Sequence, residues 1–260
     1  MPTPPTTVAP IGLISAMHEE LALLLQAMPE EQRVRVAGRD FWPGHWQGRP
    51  VVAVLSRIGK VAAATTATVL IERFGVQSIV FTGVAGGLGA GVRVGDVVLA
   101  ETFVQHDMDA SPLFPRHEVP LYGRSAFATD AALNAALAPA VQQVLSEVAR
   151  HVGPEAVREF ALQTPRQPRL HRGLVLSGDR FVATSAESHA LQQALPQALA
   201  VEMEGAAVAQ VCADYGLPFA ALRTISDRAD DAAHADFSRF IGAVASRYSL
   251  AMLSRWLAQP

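Results

Sequence analysis

Short apolar runs alternate with amphipathic stretches along most of the chain. Val8–Ile14 reads as a buried strand, after which the apolar spacing becomes helical over His18–Met28. "FWPGHWQGRPVVAVL" (Phe41–Leu55) predicts two strands around a Gly/Pro turn. "KVAAATTATVLIERF" predicts a helix closed by Gly75, and "SIVFTGVAGG" a β-branched strand that runs into glycines. "VRVGDVVLAETFVQH" adds strands around a Gly-Asp turn. Asp130–Val152 predicts one long alanine-rich helix with Thr129 or Asp130 as its N-cap. A loop, "QTPRQPRLHR", leads to the strand "GLVLS" (Gly173–Ser177). A helix over residues 203–215 ends at Gly216, "FAALRTIS" is a buried strand, and Phe237–Leu257 is a terminal helix.

Buried strands alternating with helices predict an α/β fold with a mixed, mostly parallel sheet. No repeat or linker divides the chain, so residues 1–260 are read as a single domain, with residues 1–7 as a short tail.

Composition narrows the class. Hydrophobic residues make up 50% and charged residues 17%, too apolar for a disordered chain. A net charge of −3 gives no footprint for nucleic acid or anionic lipid. No apolar stretch reaches the roughly 20 residues a membrane span needs, and "MPTPPTTVAP" lacks the features of a signal peptide. A cytoplasmic protein is expected. Lys60 is the only lysine; Cys212, the only cysteine, lies in an apolar helix and reads as buried filler.

Against this apolar background a few polar residues stand out. In "AVEMEGAAVAQV" Glu202 and Glu204 sit one residue apart inside an apolar run, where an unpartnered carboxylate is costly. Glu19 and Glu20 open a helix after the first strand, the glycines of "FTGVAGGLGAG" follow another, and "LRTISDRAD" ends a third in Ser226-Asp227 after carrying Arg223. In open α/β sheets ligands bind beyond the carboxyl ends of strands. Glu20, Glu204, Arg223 and Asp227 therefore gather at one sheet edge, a constellation suited to acid/base chemistry on a small polar ligand. The glycine loop is neither a P-loop nor a dinucleotide fingerprint, and His18-Glu19 lacks a second zinc histidine. "QHDMDA" (His106, Asp107, Asp109) is read as hydrogen-bonded structure, not a metal site. No metal or cofactor is expected.

The motifs "IGLISAMHEELALL", "SRIGKVAAA", "TGVAGGL", "VGDVVLAE", "HDMD", "LVLSGDRFV", "AVEMEGAAVAQVC" and "RTISDRAD" resemble, in this order, those of 5′-methylthioadenosine/S-adenosylhomocysteine nucleosidases of the purine nucleoside phosphorylase/uridine phosphorylase fold. The resemblance covers residues 11–28, 51–109 and 173–237. It implies one α/β domain whose sheet curls into a distorted barrel surrounded by helices, a homodimer, and hydrolysis of an adenine nucleoside to adenine and a 5-thioribose.

Carried over by position, the resemblance makes Glu20 the base that activates water and Asp227 the acid that protonates adenine N7, with Ser226 holding Asp227. Glu204 would bind the ribose hydroxyls, Met203 would lie against the sugar, and Arg223 would steady Glu204 and the water. Phe181, Val182 and Phe237 would frame the ligand, and Ala85 and Gly86 would approach it from the glycine loop. Glu202 is read as a residue of the helix entry or of the support behind the site.

Two departures qualify the resemblance: Val84 replaces a family serine, and residues 111–124, "SPLFPRHEVPLYGR", do not match the loop expected to help form the 5′ pocket. The alternatives are a purine nucleoside phosphorylase, an aminodeoxyfutalosine nucleosidase, and a non-catalytic nucleoside-binding protein. Phe81 and Val84 stand where phosphorylases hold phosphate, which favours hydrolysis.

Overall fold

A computed structural model describes residues 8–230 and 237–259 of the chain; residues 1–7, read as a tail, lie outside them. The apolar runs become strands β1 (Ile11–Ser15), β2 (Val34–Val36), β3 (Arg39–Trp46), β4 (Arg49–Leu55), β5 (Ser78–Gly87), β6 (Val97–Gln105), β7 (Ala126–Ala128), β8 (Leu170–Ser177), β9 (Ala198–Glu202) and β10 (Phe219–Asp227). The helices are α1 (His18–Gln26), α2 (Lys60–Phe74), α3 (Ala131–Ser146), α4 (Val148–Glu159), α5 (Ser185–Ala194), α6 (Gly205–Tyr215), α7 (Phe237–Phe240) and α8 (Ser246–Leu257).

The sheet runs β10-β6-β8-β9-β5-β1-β4-β3-β2, and a further pairing of β10 with β5 closes its first five strands into a barrel. Around that barrel β5–β10, β6–β8 and β8–β9 are parallel, while β10–β6 and β9–β5 are antiparallel. β1 and β4 extend it in parallel, and β3 and β2 complete the edge antiparallel. Every residue of β10 is buried, since it faces the barrel on one side and helices on the other; its near-continuous apolar run follows from this.

Several expected elements shift. The long helix from Asp130 is two helices, broken at Glu147, with Asp130 capping the first by accepting from the Leu133 N–H at 2.8 Å. The terminal helix contains a π-helical turn at Ile241–Ala245 between α7 and α8. The helix placed at residues 203–215 begins at Gly205 and ends on Gly216, whose φ of 61° is the left-handed C-cap glycine accommodates. Cys212 is buried in the apolar core, which pushes its thiol up to about 12.

Candidate active site

The site begins with an exchange of partners along one edge of β5. β1 pairs with Ser78–Thr82, and β9 pairs with Gly86 and Gly87. Over the interval Gly83–Ala85 the two neighbours diverge, while β10 remains paired on the opposite edge. A cavity opens at that divergence. Its walls include Ala16 and Met17 beyond β1, Ile58 beyond β4, Val84–Gly86 of β5, Arg180–Val182 beyond β8, Met203 and Glu204 beyond β9, Ser226 and Asp227 of β10, and Phe237. The expected binding residues Ala85, Gly86, Phe181, Val182, Met203, Glu204, Ser226, Asp227 and Phe237 therefore share one cavity. Glu20 and Arg223 do not line it; both are buried behind its wall.

Asp227 is held from two sides. The Ser226 hydroxyl donates to Oδ2 at 2.7 Å, and the Ala229 N–H donates to Oδ1 at 2.7 Å. Across the mouth, the Phe181 and Phe237 rings meet edge-on at 5.9 Å.

Glu20 occupies the first turn of α1, where a carboxylate complements the helix dipole. Its Oε2 accepts from the Met17 N–H at 3.3 Å and its Oε1 from the Ser249 hydroxyl of α8 at 3.1 Å. Burial pushes its carboxyl up to about 7, against the opposing pull of Ser249 and the Arg223 charge. Ser249 belongs to no motif and was not expected.

The two glutamates divide differently from expectation. Arg223 bonds Glu202, not Glu204: Nε and Nη2 donate to Glu202 Oε2 at 3.1 and 2.8 Å. The guanidinium lies 4.0 Å above the Phe81 ring, and its Nη1 reaches the Phe81 and Leu222 carbonyls. Glu202 also accepts from the Gly205 and Glu204 N–H groups and from the Ser177 hydroxyl, so it is the anion at the start of α6. Only glycine fits at position 205, because a Cβ there would meet the Phe103 ring at 2.2 Å. Ser177 was legible as the last residue of "GLVLS", but its partner was not.

Glu204 is turned the other way. Its backbone leaves helical geometry at φ −133°, and its Oε1 accepts from the Gly59 N–H at 2.8 Å. Burial and the neighbouring Glu202 charge raise its pKa, opposed by the Gly59 bond and Arg223. Glu204 also lines the cavity.

The departures also have a place. Val84 lines the cavity, whereas none of residues 111–124 lines it within this chain. Asp107 and Asp109 serve hydrogen bonds, as read from the sequence: Asp107 accepts from Lys60 and Asp179, and Asp109 from the Ser111 N–H. His106, read the same way, is instead buried with its Nε2 unbonded among the described residues. Among the described residues no group of His, Cys, Asp and Glu has the arrangement of a metal site, and no helix is long and apolar enough to cross a membrane.

Residues 10–255 match the family model of the phosphorylase superfamily. The 5′-methylthioadenosine/S-adenosylhomocysteine nucleosidase of Oceanobacillus iheyensis is 34% identical over 233 residues, which span 89% of this chain and 91% of that protein. The chain belongs to this nucleosidase family. The Shewanella denitrificans member is likewise 34% identical, over 89% of this chain and 91% of its own length. In three dimensions the Neisseria meningitidis nucleosidase in complex with methylthio-immucillin-A superposes with a TM-score of 0.81 at 32% identity, over 96% of this chain and 99% of that one. A futalosine hydrolase of Helicobacter pylori reaches 0.80 at 31% identity, over 96% and 97%. The nucleosidase fold accounts for the closed barrel and for the single cavity in which the expected binding residues meet.

Proposed function

We propose that the protein hydrolyses the N-glycosidic bond of 5′-methylthioadenosine and S-adenosylhomocysteine, releasing adenine and the 5-thioribose. The observation that carries this reading is the pair of carboxyls in one cavity: Asp227, doubly held, and Glu204, held by the Gly59 N–H. The bond from ribose C1′ to adenine breaks through an oxocarbenium-like state, and adenine leaves poorly as an anion. Asp227 gives its proton to N7, Glu204 accepts from the ribose hydroxyls, and water adds to C1′ while its proton passes to Glu20. A base whose pKa is about 7 suits that step near neutrality. Arg223 acts on the reaction only through Glu202 and the charge it presents to Glu20 and Glu204.

Phosphorolysis is disfavoured because Phe81 is buried beneath the Arg223 guanidinium and Val84 offers the cavity no hydroxyl. Methylthioadenosine in phosphate-free buffer is therefore converted to adenine and 5-methylthioribose at a rate that added phosphate leaves unchanged. Formation of a ribose 1-phosphate overturns hydrolysis. The likeness to a futalosine hydrolase supports one variant, action on aminodeoxyfutalosine, which a comparison of kcat/KM across adenosine, methylthioadenosine, adenosylhomocysteine and aminodeoxyfutalosine decides. A cytoplasmic homodimer working in methionine salvage completes the proposal; sedimentation at micromolar concentration tests the dimer.

A further inference from the structure

Lys60, the only lysine of the chain, takes no part in the chemistry above, yet it sits at the centre of a closed polar ring. Its Nζ, with the side chain 15% exposed, donates to Asp107 Oδ1 at 2.6 Å and to Gln105 Oε1 at 3.1 Å. Its own N–H donates to Asp179 Oδ1 at 2.8 Å, and the Asp179 N–H donates to Asp107 Oδ2 at 2.9 Å. Gln105 passes the connection to Gln210 of α6 at 2.8 Å. The start of α2 and the segments at the ends of β6 and β8 are thereby joined to one another and to the helix that Glu204 precedes.

The ring has a direction. The residue before Lys60 is Gly59, whose φ of 95° excludes an ordinary side chain and whose N–H donates to Glu204 at 2.8 Å. The residues just after Asp179 are Arg180, Phe181 and Val182, the wall of the cavity around the base. Although burial opposes it, the bonds from Lys60 and the Asp179 N–H hold the Asp107 carboxyl below its usual range.

We propose that Lys60, clamped by Asp107 and Asp179, is a positioning residue for Glu204. It fixes the Gly59 N–H on one carboxylate oxygen and so leaves the other oriented toward the sugar. This rests on Glu204 being the ribose acceptor. The clamp supplies what the sequence of α2 lacks, since Gly59 has no side chain with which to fix its own orientation.

The test uses Lys60→Met and Asp107→Asn in the full chain, with two readouts. The first is the titration of the Glu204 carboxyl in ligand-free protein by carbon NMR, assigned by its disappearance in Glu204→Gln. Glu202, Arg223 and the Met203 N–H also face this group and are untouched in both variants, so the Gly59 bond is the one the substitutions loosen. Losing a hydrogen bond to the ionised form raises the midpoint. Removing the negative charge of Asp107 would by itself lower it. A higher midpoint in Asp107→Asn therefore reports position and not charge, and an unchanged or lower one overturns the proposal. The second readout is kcat/KM for methylthioadenosine. Lys60→Met lowers it about 10- to 100-fold in the wild-type background, but by no more than about twofold when Glu204 is already alanine. An equal loss in both backgrounds, or none in either, overturns the proposal. Should Lys60→Met not fold, Asp107→Asn decides both readouts. Should wild type release no adenine, the hydrolase reading fails, while the titration still decides the role of Lys60.

Discussion

Arg223 and Glu202 form a buried ion pair at 2.8 Å, with two guanidinium nitrogens converging on one carboxylate oxygen. Both side chains are almost fully enclosed, so each is the other's replacement for water. Removing one partner leaves a buried charge uncompensated, which costs about 3–5 kcal/mol. Glu202→Gln and Arg223→Met are each expected to lose stability of this order in denaturant unfolding. The double variant loses less than the sum, and simple additivity would show that the two side chains do not depend on each other.

The same division predicts how sugar hydroxyls are sensed. A site built around a hydroxyl rejects an analogue lacking it by as much as about 10⁴–10⁵, because the buried acceptor is left unpaired. Wild type should discriminate strongly between methylthioadenosine and its 3′-deoxy analogue, and Glu204→Ala should lose activity together with most of that ratio. Glu202→Gln should keep the ratio even where stability drops. A ratio untouched in Glu204→Ala would move the sugar away from this carboxylate.

Proton transfer is worth roughly 10²–10⁴-fold. Asp227→Asn and Glu20→Gln should each lower kcat by at least the lower figure while unfolding cooperatively. Retention of more than about half the wild-type rate would make the altered residue structural.

The hydrogen bond from Ser249 offers a test by pH. As the proposed base, Glu20 would act only when ionised, so kcat/KM should rise with pH through about 7. The Ser249 hydroxyl favours the ionised form, and its removal raises the pKa further. In Ser249→Ala the rising limb is expected at higher pH than in wild type, with the plateau less affected. Movement to lower pH would mean that another group sets the limb.

Asp96 predicts the acid limit of stability. It is buried, which opposes ionisation, but Arg166, His171 and the Arg169 and Arg93 N–H groups all bond its carboxylate and hold it well below the usual range. Its stabilisation is present above the carboxyl's ordinary pKa and is lost as pH falls through the depressed one. Unfolding followed from pH 6 down to about pH 2 should show this loss in wild type, and a flatter profile in Asp96→Asn.

Much of this site was legible because its residues sit at strand ends, where an apolar run stops on a polar residue. Asp227 after "TIS" is of this kind; Ser177 ends "LVL" in the same way but was read only as a strand end. The pairing of Arg223 was not legible. Glu202 and Glu204 are chemically identical and one residue apart, and a non-periodic backbone break at Glu204 decides which one faces the arginine. Ser249 was beyond reach for another reason: nothing within α8 marks one serine of its buried face as the neighbour of Glu20. The partner exchange along β5 is likewise a property of three strands at once, so no local pattern carries it.

Glu20 and Ser249 are 229 positions apart, and the barrel closes by pairing Gly83 with Arg223. Contacts this distant form late in folding, because the intervening chain must first be ordered. A chain emerging from the ribosome that has reached only the end of β10 already contains every strand of the barrel. It still lacks both Phe237 and the hydroxyl that holds Glu20. The pocket is therefore among the last features completed during synthesis, and an incompletely made chain has its frame without Phe237 or the Ser249 bond to Glu20.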